Sequence, residues 1–212
     1  MIYPYTISCY RDAGLYEQLC NSIPFYSEPY VMFDVAGYEN GSGWEASMIK
    51  VRGLQHFNFI NDNDFVMSVD SDVLFTREYT PENVGIQGIE SKEPFPDGFK
   101  HFSGCCMFLR GDVVKKINKL KDADFIELRE HLKKHNIIEN EDVILSYLAD
   151  LVDAERIAVE LLCDNPQAFF EHKETTGYII HFNLEGITEY LGYPVAGKWD
   201  IHKAIKKYYE NN

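Results

Sequence analysis

Asp64-Phe65-Val66-Met67-Ser68-Val69-Asp70-Ser71-Asp72-Val73-Leu74-Phe75-Thr76 is the stretch that decides the fold. An apolar run, Phe65 to Val69, leads into two acids one residue apart, and a second apolar run follows. The first run is too short for a helix of ordinary length and has the composition of a buried strand. Open α/β folds gather their ligands at the carboxyl ends of such strands. Two carboxylates between apolar runs are costly to bury unless a cation or hydrogen-bond donors compensate them. Hard oxygen ligands suit Mg²⁺ or Mn²⁺, ions that keep part of their shell open for a substrate phosphate. Asp70 and Asp72, with Ser71 between them, are therefore read as a metal–diphosphate clamp. A turn between two strands is the competing reading, because Asp-Ser-Asp serves that purpose too.

On the N-terminal side, Tyr3 to Tyr10 reads as a strand and Asp12 as the cap of a short helix, with Leu15, Leu19 and Ile23 down one side. Pro29 to Val35 reads as a second strand. The loop Gly37 to Gly43 lacks the third glycine of a GxGxxG fingerprint. Trp44 to Phe59 reads as a helix whose apolar side carries Met48, Val51, Gln55 and Phe59, leaving Lys50 and Arg52 elsewhere. This β-α-β-α-β order predicts a parallel sheet with helices on its faces.

On the C-terminal side, Val84 to Ile89 reads as a strand and Glu90 to Lys100 as a loop. His101 to Leu109 reads as another strand, in which Gly104 marks a close approach to a ligand or a bulge. Helices are expected from Asp112, as a cap, to Leu120 and from Asp124 to His135. His131 and His135 have the spacing of a zinc pair, but no Cys or acid follows in register, so they are read as a solvated helix face. Glu139-Asn140-Glu141-Asp142 opens an apolar helix, Val143 to Leu151, where acids complement the helix dipole. Glu155 to Leu162 is ambiguous between strand and helix. Thr176 to Phe182 reads as the last strand, with His181 at its end, followed by Gly197-Lys198-Trp199-Asp200 and a helix to Tyr209. No repeat, low-complexity segment or long linker divides the chain, so one domain over 1–212 is expected.

The chain of 212 residues is 45% hydrophobic and has 14 Phe, 14 Tyr and 2 Trp, ample for a core. With 20 Lys+Arg against 34 Asp+Glu its formal charge is −14, which argues against nucleic acid and anionic lipid as partners. Five cysteines without a CxxC pair fit free thiols in a reducing compartment. The start, Met1-Ile2-Tyr3-Pro4-Tyr5, lacks the basic and apolar regions of a signal peptide, and no stretch has the length to span a bilayer. A cytoplasmic location is expected, the host cytoplasm if the protein is viral.

Taken in order, Asp70-Ser71-Asp72, a Gly-containing strand, an acid cluster at a helix start and a His at a strand end resemble the GT-A glycosyltransferases with their metal-binding DxD motif. Ile179-Ile180-His181-Phe182 with Gly186 and later Lys198-Trp199 is similar to the His–Gly–Lys-Trp ending of the glycogenin and galactosyltransferase group, although Lys198 lies farther from Gly186 than in that group. A likeness to the N-terminal domain of chlorella-virus glycosyltransferases, as part of a longer chain, also suggests itself. The resemblance implies a mixed, mostly parallel α/β sheet flanked by helices, with residues 1–76 holding the nucleotide and 77–212 the donor sugar and acceptor. It implies a UDP-sugar donor, a saccharide acceptor and Mn²⁺ (or Mg²⁺) held by Asp70, Asp72 and His181. It also implies nucleotide contacts from Thr6, Ser8, Tyr10, Arg11 and Asp34, phosphate contacts from Lys50 or Arg52, a donor-binding role for Lys198, and a donor-sugar lining from Gly104 and Cys105. Asp142, and after it Glu141, would act at the sugar, and the ending leans towards a retaining reaction.

Two other functions compete. A sugar nucleotidyltransferase shares the α/β half and the metal logic, but would carry a Gly-rich basic loop where Thr6 to Gly14 has one Gly and one Arg. A non-catalytic carbohydrate-binding module would explain the aromatic content, yet most aromatics fall at core-like periodic positions.

Overall fold

The structure is a computed structural model that describes residues 1–8, 13–23, 30–33, 43–163 and 173–181. Within them, β1 (Ile2–Ser8) leads to α1 (Ala13–Ser22), β2 (Tyr30–Phe33), α2 (Trp44–Gly53) and β3 (Phe65–Val69). Next come β4 (Val73–Phe75), β5 (Ile86–Glu90), β6 (Phe102–Arg110), α3 (Gly111–Ile117), α4 (Asp122–Lys134), α5 (Glu141–Leu151), β7 (Arg156–Ala158) and β8 (Ile179–His181).

Six strands form one sheet in the order β2-β1-β3-β6-β5-β7. β1 is parallel to both β2 and β3, and β5 is parallel to β7, while β6 is antiparallel to β3 and to β5. Five strands therefore share one direction and β6 alone runs against them, which is the mixed, mostly parallel sheet expected. Strand order reverses at β1, and the crevice beyond the carboxyl ends of β1 and β3 is the usual ligand position of such a sheet. β3 is buried along its whole length, as its apolar run requires.

Three expectations need correction. The helix from Trp44 ends at Gly53 and tightens into a 3₁₀ turn, Leu54–Phe57, so Phe59 is exposed and not on an apolar stripe. Nearly all of α2 is enclosed, including Ser47, whose hydroxyl donates to the Glu139 carbonyl at 2.7 Å. Asp112 does not cap its helix; it sits in the first turn and takes a bidentate pair of bonds from Arg110 at 2.6 and 3.0 Å. His131 is not simply solvated. Its Nε2 lies 2.8 Å from Asp97 Oδ2, which also accepts the Tyr147 hydroxyl at 2.6 Å. The ambiguous segment resolves as β7, and the four described cysteines are free. No described helix is long and apolar enough to cross a membrane. Asp12, the Gly37 loop and everything after His181 lie outside the described residues.

Candidate active site

β3 ends at Val69, paired with Cys106 of β6, and the chain leaves the sheet at Asp70. The Asp70 amide donates to the Cys105 carbonyl at 3.1 Å, holding the first acid against β6 just past the ladder. β1 lies alongside with Tyr5 opposite Ser68, so Thr6 to Ser8 continue beyond β3 at the level of the two acids. Thr6 is fully buried there. Ser8 closes β1, while Tyr10, Arg11, Asp34 and Lys198 lie outside the described residues.

The last strand is not part of the main sheet. β8 pairs antiparallel with β4 in a sheet of their own, with Val73 opposite His181. That register delivers the imidazole to the residue preceding Val73: His181 Nε2 is 3.6 Å from Asp72 Oδ1. One ligand atom from each of Asp70, Asp72 and His181 lies within 4.8 Å of the others. All three side chains are half-buried, and Ser71 between the acids is buried. Two carboxylate oxygens and one imidazole nitrogen could hold a divalent metal ion there.

Lys50 joins this group from beneath. Its side chain is 1% exposed, with Nζ 3.0 Å from Asp70 Oδ1 and 3.8 Å from Glu141 Oε1. An ammonium that deeply buried is tolerable only with such partners. Glu141 is pushed above the ordinary carboxylate range by burial; Lys50 opposes that rise, and the negative charges of Asp70 and Asp142 add to it.

Gly104 and Cys105 sit between the two sets of acids. The Gly104 amide donates to Asp142 Oδ2 at 3.2 Å, and a Cβ on Gly104 would lie 3.1 Å from Asp142 Cβ and 3.3 Å from Glu141 Oε1. The glycine is thus the close approach of β6 to the start of α5. Gly104 also lies in the stretch of β6, between Phe102 and Met107, where the register with β5 shifts, so the bulge alternative holds here and the group that approaches the glycine is protein. The Cys105 side chain is buried, and burial, aided by the Asp70 and Asp72 charges, pushes its thiol up to about 11. It remains a neutral thiol at physiological pH and is no nucleophile.

Sequence reasoning missed His101. Its Nε2 is 3.7 Å from Asp142 Oδ2, and its ring stacks on Phe95 at 4.9 Å. It stands just before β6, and no local pattern ties it to an acid beyond two intervening helices.

No protein-family model matches the chain, and no curated protein matches it by sequence. Among solved structures, the chain is similar to the galactosyltransferase LgtC in complex with donor and acceptor sugar analogues, with a TM-score of 0.53 and 11% identity over 98% of this chain and 96% of that one. It is similar to the glycosyltransferase GlyE of Streptococcus pneumoniae TIGR4, with a TM-score of 0.56 and 13% identity over 98% of this chain and 60% of that one. An active-site mutant of LgtC gives a TM-score of 0.54 at 10% identity. Likeness at these identities speaks to architecture, and the architecture is that of the GT-A glycosyltransferases.

Proposed function

We propose that this protein is a metal-dependent glycosyltransferase that moves a hexose from a UDP-sugar to a saccharide hydroxyl, with retention at the anomeric carbon. The observation that carries the reading is the convergence of Asp70, Asp72 and His181 from two separate segments within 4.8 Å, at the carboxyl end of a central strand. The fold shared with known glycosyltransferases supports the same reading. In this reading residues 1–76 hold the nucleotide and 77–212 the sugar and acceptor.

Bound Mn²⁺ would supply Lewis-acid neutralisation of the diphosphate as it leaves. The chain's own residues do the rest. Lys50 fixes Asp70 and offsets its charge, so the clamp is rigid before the donor arrives. Asp142, held by the Gly104 amide at 3.2 Å and the Val143 amide at 2.8 Å, faces the sugar as a preset hydrogen-bond acceptor. Glu141 stands beside it, with Lys50 3.8 Å away, and its carboxylate stabilises positive charge growing at the anomeric carbon as the bond to the diphosphate oxygen breaks. The bond from the acceptor oxygen then forms on the same face, and the acceptor's hydroxyl proton passes to the departing diphosphate oxygen.

The test is UDP release from a panel of UDP-hexoses, with Mn²⁺ and with EDTA. Slow hydrolysis of one donor that stops in EDTA is the expected result. A nucleotidyltransferase would instead make UDP-sugar and pyrophosphate from UTP and a sugar phosphate, and that activity would overturn the reading.

A further inference from the structure

His101 enters the site without any assigned role. Its ring is 22% exposed in the side chain, and it faces Asp142, which is 17% exposed. Its other nitrogen, Nδ1, is buried and has no hydrogen-bond partner among the described residues. Nδ1 meets no acceptor for a hydrogen among the described residues, whereas the Asp142 carboxylate near Nε2 attracts one. The neutral ring therefore carries its hydrogen on Nε2, the nitrogen turned to Asp142.

At 3.7 Å, His101 Nε2 and Asp142 Oδ2 are too far apart for a hydrogen bond of their own. They are close enough for one hydroxyl oxygen to lie about 2.8 Å from both. Such a hydroxyl would accept from Nε2–H and donate to the carboxylate, satisfying both of its hydrogen-bonding roles at once. Both partners are fixed. Asp142 is tied by two backbone amides, and the His101 ring lies on Phe95 at an interplanar angle of 20°. The Phe95 turn is itself closed by the Phe95 amide donating to the Phe99 carbonyl at 2.7 Å, and Ser91 donates to the His101 carbonyl at 2.8 Å.

We infer that His101 and Asp142 form a two-sided clamp for a single hydroxyl of the saccharide, so that His101 is a substrate-binding residue that selects for that hydroxyl. The inference rests on the glycosyltransferase reading and adds to it a specificity residue outside the DxD motif. The hydroxyl can belong to the donor hexose or to the acceptor, and the two sources separate in the assay.

The variants are His101→Phe, which keeps the ring on Phe95 and removes the donor, and His101→Gln, whose amide nitrogen can occupy the place of Nε2. UDP binding with Mn²⁺ is measured for each protein alongside UDP-hexose hydrolysis and transfer to a saccharide panel. The expected result is unchanged UDP affinity in all three proteins, kcat/KM reduced about tenfold or more in His101→Phe, and recovery to within about threefold in His101→Gln. Loss in hydrolysis as well as transfer assigns the hydroxyl to the donor, and loss confined to transfer assigns it to the acceptor. Wild-type rates in His101→Phe, or equal damage in both variants at unchanged UDP affinity, would overturn the clamp and leave the ring a packing element. Failure of the wild-type protein to bind any nucleoside diphosphate would instead remove the underlying glycosyltransferase reading.

Discussion

Val73 pairs with His181 across the small antiparallel sheet, and this one backbone register brings the histidine to Asp72. The proposed clamp would therefore be assembled from a turn after β3 and a strand distant in sequence. Asp72 is central to it. Asp72→Ala is expected to leave the fold intact and to abolish Mn²⁺-dependent UDP binding and hexose release. Circular dichroism and a UDP titration check both halves of that statement, and full activity in the variant would exclude the metal clamp.

In the proposed function Asp142 acts on the sugar and not on the nucleotide. Asp142→Asn keeps its size and its place at the start of α5, but removes the charge. Turnover is expected to fall at least a hundredfold while UDP affinity changes less than about threefold, of the order seen when one preorganised polar group is lost. Weakened UDP binding with normal turnover would make Asp142 a nucleotide contact.

Lys50 holds two acids that would otherwise repel. Lys50→Met is expected to destabilise the metal-free protein by about 3 kcal/mol, the usual cost of breaking a buried ion pair. Added Mn²⁺ should raise the melting temperature of the variant more than that of the wild type, because the ion takes over the neutralisation of Asp70. Equal metal-induced shifts in the two proteins would separate Lys50 from the metal site.

Gly104→Ala tests the contact between β6 and α5. Its Cβ would press on Asp142 and Glu141 at 3.1 and 3.3 Å, tight enough to displace them by a few tenths of an ångström. A stability loss of about 1–3 kcal/mol is expected, with a disproportionate fall in turnover and little change in UDP affinity. Unaltered turnover would show that the acids tolerate displacement.

Away from the site, Asp97 should govern acid sensitivity. Burial resists its ionisation, but bonds from Tyr147, the Phe99 amide and His131 prevail and hold its carboxyl at about 2, below the ordinary 3.8. The folded value is the lower one, so the stabilisation is complete above about pH 4 and is lost as pH falls through about 2. Asp97→Asn should lower the melting temperature at pH 7 and flatten its decline between about pH 4 and pH 2. Parallel declines in the two proteins would assign the acid sensitivity to other carboxylates.

Much of this architecture was legible because short apolar runs punctuated by acids and glycines fall in β-α-β order. Asp70 and Asp72 could be singled out because acids at the end of an apolar strand stand out locally, and His181 through the resemblance of its strand end to the GT-A pattern. The sequence marks Lys50 as a candidate phosphate contact but not its burial between Asp70 and Glu141. Helical periodicity separates apolar from polar faces, whereas α2 is enclosed on most sides and buries its lysine by pairing it with Asp70 and Glu141. The pairing of β4 with β8 was equally hidden, since both read as ordinary strands and register between distant segments leaves no local trace. His101 shares that obscurity: its significance lies in Asp142, on another element.

The most direct test of the metal–diphosphate clamp is calorimetric titration of UDP into the protein with Mn²⁺ and again with EDTA. Saturable binding that requires the ion, and is lost in both Asp72→Ala and His181→Ala, is the predicted result. Absence of binding for UDP, GDP, CDP and dTDP under both conditions would contradict it and reduce Asp70-Ser71-Asp72 to a turn between β3 and β4.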